Sequence, residues 1–192
     1  MVKNMYIKKQ KYKNSCFPCA LQMALVNVGN LSPDNGDNLE DGFNRKMLER
    51  TNPIRGLNTD PPPDEALVCG IISSLGLPLG NGGFLVGPTV LSGYEQHFAQ
   101  RINNALAANE NVAFVIGVAE TSGHAFAIFW DPQTRKWYLV DPKMDVPNVI
   151  DQCDDIRAHV ENGYIVLSAV VGSTVVRNIV GGNFVMMVTR EH

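Results

Sequence analysis

Nowhere in the 192 residues does an unbroken apolar stretch reach the length of a membrane-crossing helix, so no membrane span is expected. The N-terminus is basic at Lys3, Lys8, Lys9, Lys11 and Lys13 but lacks the apolar segment of a Sec-type signal, so none is expected. Cysteine is sparse: Cys16, Cys19, Cys69 and Cys153 stand at irregular spacing, unlike a disulfide framework, and a reducing, cytoplasmic setting fits them better. Charge is also modest, 18% of residues with a net −3, which argues against nucleic acid as the main partner; the lysine-rich start reads as a solvated arm. Neither internal repeats nor low-complexity segments occur. What remains is a chain with 45% apolar residues, sized for one domain over residues 1–192 with a proper core.

The chain is organised around Asn14 to Gly29, NSCFPCALQMALVNVG. From Cys16 to Val28 only Gln22 and Asn27 are polar, and a helix apolar all round belongs inside a domain. Ser15 or Asn14 can serve as N-cap, Pro18 is tolerated in the first turn, and Gly29 supplies the stop. Cys16 then stands on the first turn, where unpaired N–H groups and the helix dipole favour a thiolate.

Downstream, residues 30–38 read as a loop and Leu39 to Arg50 as an amphipathic helix with Leu39, Phe43, Met47 and Leu48 inward. Residues 51–63 form a loop, Asp64 to Leu75 a helix closed by Gly76, and 76–93 a long loop with one short strand at Phe84 to Val86. Tyr94, Phe98, Ile102 and Leu106 recur every four residues, predicting a helix over 94–109. The texture then changes. Residues 111–118, 123–130, 136–140, 164–171, 174–180 and 184–188 read as strands, the last two joined by a Gly-Gly-Asn turn, and 148–161 as a helix. Helices first and an antiparallel sheet after define an α+β domain, with a cleft expected at the seam between its halves.

The hairpin of residues 123–141 carries the main long-range inference. Asp131-Pro132 opens a type I turn, and a loop over 131–134 pairs Trp130 with Arg135. Counting outward pairs Ile128 with Trp137, Phe126 with Leu139, and His124 with Asp141, all on one face. That face is expected to pack on the buried helix and bring His124 to Cys16. A carboxylate beside an imidazole fixes its tautomer and steadies imidazolium. A nucleophilic thiol also needs oxyanion donors. The backbone N–H of Cys16 or Phe17 can be one, and the side-chain amide of Gln10, six residues upstream, the other.

Gln10-x5-Cys16 at the mouth of a buried helix, Gly123-His124 opening one strand and Asp141 closing the next resemble the papain-like cysteine peptidases. SCFPCALQMAL is similar to the helix of bacteriocin-leader peptidases, and GHAFAIFWD…WYLVDP to bacterial effector proteases. Phe17 and Pro18 stand where papain-type enzymes carry Gly or Trp. The resemblance implies a papain-like fold and a thiol protease or isopeptidase acting on a protein or peptide, without cofactor or metal. Cys16 would be nucleophile, His124 general base and acid, Asp141 its orienter and Gln10 an oxyanion donor. It also implies a bacterial effector released without a Sec signal into a host cytoplasm.

Other readings of the same residues stay open. Glutamine deamidation or transamidation uses an identical triad, and a silent binding module can share the fold. Cys16-Phe17-Pro18-Cys19 is a C-x-x-C, which elsewhere serves redox or zinc chemistry, although no buried strand precedes it and no second close ligand pair exists. Cys19 would face the core, with a role as resolving thiol or nucleophile open. His97, His159 and His192 read as surface or boundary residues.

Overall fold

A computed structural model describes residues 5–33, 39–83, 85–86, 94–108, 111–118, 124–131, 136–143, 148–152, 155–161, 164–171, 174–182 and 184–191. Helices α1 (Cys16–Asn27), α2 (Leu39–Arg50) and α3 (Glu65–Leu75) come first, followed by the short strand β1 (Leu85–Val86) and α4 (Tyr94–Ala107). Strands β2 (Val112–Val118), β3 (His124–Asp131), β4 (Lys136–Val140), β5 (Asn148–Gln152), β6 (Asp155–Glu161), β7 (Tyr164–Val171), β8 (Thr174–Gly182) and β9 (Phe184–Thr189) complete an α+β architecture. One sheet runs β1-β9-β2-β3-β4-β5 and a smaller one β6-β7-β8, with every described pairing antiparallel. Among the described residues, no helix is long and apolar enough to cross a membrane.

The larger sheet carries a core on each face, which is why β2 and β9 read as continuous apolar runs rather than alternating ones. On one face α1 lies across β2 and β3, over Ala113, Val115, Ala125, Ala127 and Phe129, with α2 and α3 finishing the layer. Burying Leu21, Met23 and Leu25 contributes about 1.5–3 kcal/mol each. That outweighs the cost of carrying Gln22 inside, where its Nε2 donates to the Tyr6 hydroxyl at 2.7 Å. On the other face Phe114, Ile116, Ile128, Trp130 and Met187 meet Ile102 of α4 and Leu167 of the small sheet.

The α3 boundaries follow from local chemistry. Asp64 caps the helix by accepting the Leu67 N–H at 2.8 Å, and Gly76 ends it at φ 60. Asn103 of α4 docks its side-chain amide on β6: it accepts the Ala158 N–H at 2.7 Å and donates to the Ala158 carbonyl at 3.1 Å. The side chain thereby stands in for a neighbouring strand along an otherwise open edge.

Several expectations are corrected. Residues 148–152 and 155–161 are strands in two different sheets, where a helix over 148–161 was expected. Ile156, Ala158 and Val160 alternate with Arg157 and His159, and pairing along β7 settles a pattern that a helix also fits. Strands β8 and β9 do not form a hairpin: β8 pairs with β7, whereas β9 lies between β1 and β2. Leu48 lies 39% exposed, because the inward row of α2 is Leu39, Glu40, Phe43 and Met47. In the hairpin, Trp130 pairs with Trp137 and Ile128 with Leu139, two residues away from the expected register. The face was also misassigned: α1 packs on Ala125, Ala127, Phe129, Tyr138 and Val140, while Ile128 and Trp130 turn to the second core. The loop at 132–135, Gly123, Phe84, Cys153, His192 and the side chain of His97 lie outside the described residues.

Candidate active site

Cys16 is the first residue of α1 and is only partly covered, whereas the residues from Phe17 to Leu25 are buried. The thiol therefore stands at a helix end that is open to solvent, ahead of the buried middle of α1. Beneath it the Phe17 ring meets the Phe184 ring edge-on at 5.1 Å, and Gly117 makes room, since a Cβ there would come within 3.0 Å of Phe184.

His124 opens β3 and Asp141 follows β4, and the ring Nε2 lies 2.9 Å from Asp141 Oδ1. The two-residue shift in register leaves this contact intact because it preserves side-chain parity: a shift of one would have sent the carboxylate to the other face. Asp141 Oδ1 also accepts the Lys143 backbone N–H at 2.9 Å, so the carboxylate is held from two directions. The ring's other nitrogen, Nδ1, is buried and makes no hydrogen bond of ordinary geometry. The Cys16 thiol beside the ring is the strongest influence on it. The nearby Cys16 thiol first, and Asp141 after it, raise the His124 pKa above 6.5 against the opposing effect of burial. Residues more than a hundred positions apart thus meet at the mouth of α1.

Gln10 lies on the approach to this site. Its backbone N–H donates to the Pro142 carbonyl at 2.8 Å, tying residues 8–15 to the turn after Asp141. Its side-chain Nε2 donates to the Tyr12 and Lys13 carbonyls, each at 2.9 Å. An amide nitrogen has two hydrogens, so in this arrangement both are spent on shaping the turn into α1.

The helix end itself offers donors. Of the N–H groups that an α-helix leaves unpaired at its start, that of Ser15 reaches the Tyr12 carbonyl at 3.4 Å, and Pro18 has none. Cys19 N–H closes the first turn on the Ser15 carbonyl at 3.0 Å. The N–H groups of Cys16 and Phe17 have no acceptor among the described residues. Both belong to the first turn of α1, where unpaired N–H groups favour negative charge.

Sequence reasoning missed Glu40, which is fully buried in the first turn of α2. Its Oε2 accepts the Lys11 N–H at 2.7 Å and the Ser15 hydroxyl at 2.5 Å, and Lys8 Nζ lies 3.3 Å from Oε1. The adjacent Asp41 grips the same segment through Lys11 Nζ at 2.8 Å and the Tyr12 hydroxyl at 2.5 Å. These bonds, that of Lys11 first, hold the Asp41 carboxyl below its ordinary range. Two consecutive acids at the start of a helix look solvated in sequence. Only the spacing of Glu40 with Phe43 and Met47 along one helical row hinted at burial.

Cys19 is fully buried and donates to the Lys8 carbonyl at 3.3 Å. Burial, and then Glu40, push its thiol far above the ordinary range, a setting for an inert thiol. Cys69 is partly buried, and its thiol is raised by burial and by Glu65. Among the described residues, no group of three or more His, Cys, Asp or Glu could hold a metal ion.

Compared with protein-family models, curated proteins and solved structures, the chain finds no match.

Proposed function

We propose that this protein is a papain-like cysteine hydrolase that transfers acyl groups through Cys16, with a protein or peptide as its substrate. The observation that carries this reading is the meeting of Cys16, His124 and Asp141 at the open end of α1, with His124 Nε2 2.9 Å from Asp141 Oδ1 and the thiol beside the ring. Asp141 orients the imidazole, and His124 takes the thiol proton and later delivers it to the leaving amine. The thiolate bonds to the substrate carbonyl carbon, the amine departs with the electrons of the broken C–N bond, and water releases the acyl group. The N–H groups of Cys16 and Phe17 receive the charge that collects on the carbonyl oxygen. Release of a peptide, an isopeptide-linked protein or ammonia from glutamine uses the same steps.

Iodoacetamide labelling near neutral pH, resolved residue by residue by mass spectrometry, tests the reading. Cys16 reacts much faster than Cys69, whose raised pKa keeps it protonated, and His124→Ala slows Cys16 alone. Equal labelling of Cys16 and Cys69 in the native protein refutes it.

A further inference from the structure

Ser15 occupies the N-cap position of α1 and is a residue type that ordinarily caps, yet its side chain makes no cap bond. The hydroxyl is turned off the helix: it accepts the Tyr12 N–H at 3.0 Å, and its one proton goes to Glu40 Oε2 at 2.5 Å in preference to the Tyr12 carbonyl at 3.1 Å. A serine cap would bond the N–H of the second or third helical residue. Here the third is Pro18, which has no N–H, so the only group such a cap could take is that of Phe17. The carboxylate that prevents this is itself sealed from water, and it holds Lys11 as well as Ser15.

We infer that Glu40 is a positioning residue for acyl transfer: by holding the Ser15 hydroxyl away from α1, it keeps the Phe17 N–H open to the substrate oxygen. This assignment rests on Cys16 acting as nucleophile. A short carboxylate–hydroxyl bond competes well with a neutral cap bond. Without the carboxylate, the hydroxyl keeps only its neutral bonds to Tyr12, against which a cap bond to Phe17 competes on equal terms, and an oxyanion must then displace that cap. A cap bond of about 1 kcal/mol corresponds to about a fivefold loss of rate. Chemistry at the sulfur that develops no charge on a carbonyl oxygen is spared.

Two reagents separate these effects. With p-nitrophenyl acetate, the Cys16 sulfur bonds to the acetyl carbon, the ester C–O bond breaks, and nitrophenolate leaves with the electron pair. With iodoacetamide, the sulfur displaces iodide and no oxyanion forms. Glu40→Ala is expected to slow acetylation about fivefold while changing alkylation less than about twofold, and adding Ser15→Ala restores most of the loss, because no hydroxyl remains to cap. Glu40→Gln, which keeps the shape and a weaker acceptor, serves the same comparison if the alanine variant does not fold. Its acetylation falls in the same direction and is likewise recovered with Ser15→Ala. If acetylation is unchanged, if both reactions fall together, or if removing the hydroxyl restores nothing, the assignment to Glu40 is wrong while Cys16 stands as nucleophile. If the wild-type protein is acetylated no faster than Cys16→Ser, the nucleophile itself is wrong and the role of Glu40 goes with it.

Discussion

Replacing Asp141 by Asn separates what the carboxylate contributes through its charge from what it contributes through its shape. Oδ1 accepts from His124 Nε2 and from the Lys143 N–H, each at 2.9 Å. An asparagine amide has one accepting end and one donating end, and the Lys143 N–H is satisfied only by the oxygen. That bond therefore keeps the amide oxygen facing the ring, so the orientation of the imidazole survives and only the charge is lost. A hydrogen bond to an ionised acceptor is worth about 1.5–3 kcal/mol and a neutral one about 0.5–1.5. The difference, about 1–1.5 kcal/mol, corresponds to about a five- to tenfold loss in acylation rate. Asp141→Ala removes the acceptor as well, frees the ring to turn and strands the Lys143 N–H, for a loss of about a hundredfold. The assay is the second-order rate of p-nitrophenyl acetate acylation, followed from about pH 5 to about pH 10. The native ring has a pKa above 6.5, so the stabilising charged pair is fully formed below 6.5 and is lost as the pH rises through the raised value. Removing the Asp141 charge lowers that pKa while the contribution of Cys16 persists. The alkaline limb of the Asn variant is accordingly expected to shift to lower pH without vanishing. If Asn is as damaging as Ala, the Lys143 bond does not set the side chain's orientation; if neither variant differs from wild type, Asp141 plays no part in the chemistry.

Three further outcomes follow from the packing. Cys19→Ala leaves the rate of Cys16 labelling within about twofold, because the buried Cys19 thiol is far from ionising; a large loss assigns the reactivity to Cys19 instead. Phe43→Ala, at a fully buried ring 6.5 Å from that of Phe17, lowers unfolding free energy by about 3–5 kcal/mol in urea titration, and a change under about 1 kcal/mol contradicts the packing described. Gly82→Ala places a Cβ 1.9 Å from the Met187 carbonyl oxygen, which forces residues 79–83 off β9 at a cost of about 1–3 kcal/mol; an unshifted urea midpoint contradicts that close approach.

How far the sequence could be read depended on which interactions were local. Helix α1 was legible because an all-round apolar surface has few other uses, and α3 because Asp64 and Gly76 mark its ends by themselves. Bringing His124 to Asp141 needed only side-chain parity, which survived an error of two residues in the turn, whereas the packing face expected to carry His124 to Cys16 was the wrong one. The face of β3 that meets α1 was not legible, since both faces are apolar and both are buried. Strands β5 and β6 were missed because edge pairing, not propensity, decides between helix and strand in a short alternating stretch. Glu40 was missed because one of its partners, the Lys11 amide, comes from a segment that sequence alone marks as a solvated arm, and the other, the Ser15 hydroxyl, from a residue that reads as a helix cap.

The place of β9 has a consequence for how the molecule is assembled. This strand comes last in chain order among those described, yet it is inserted between β1 and β2, and its Phe184 packs against the Phe17 ring next to Cys16. During synthesis, α1 and its cysteine emerge long before the segment that completes the platform beneath them. Such distant pairing is slow to form. The packing beneath the first turn of α1 is therefore completed only when β9 closes the sheet.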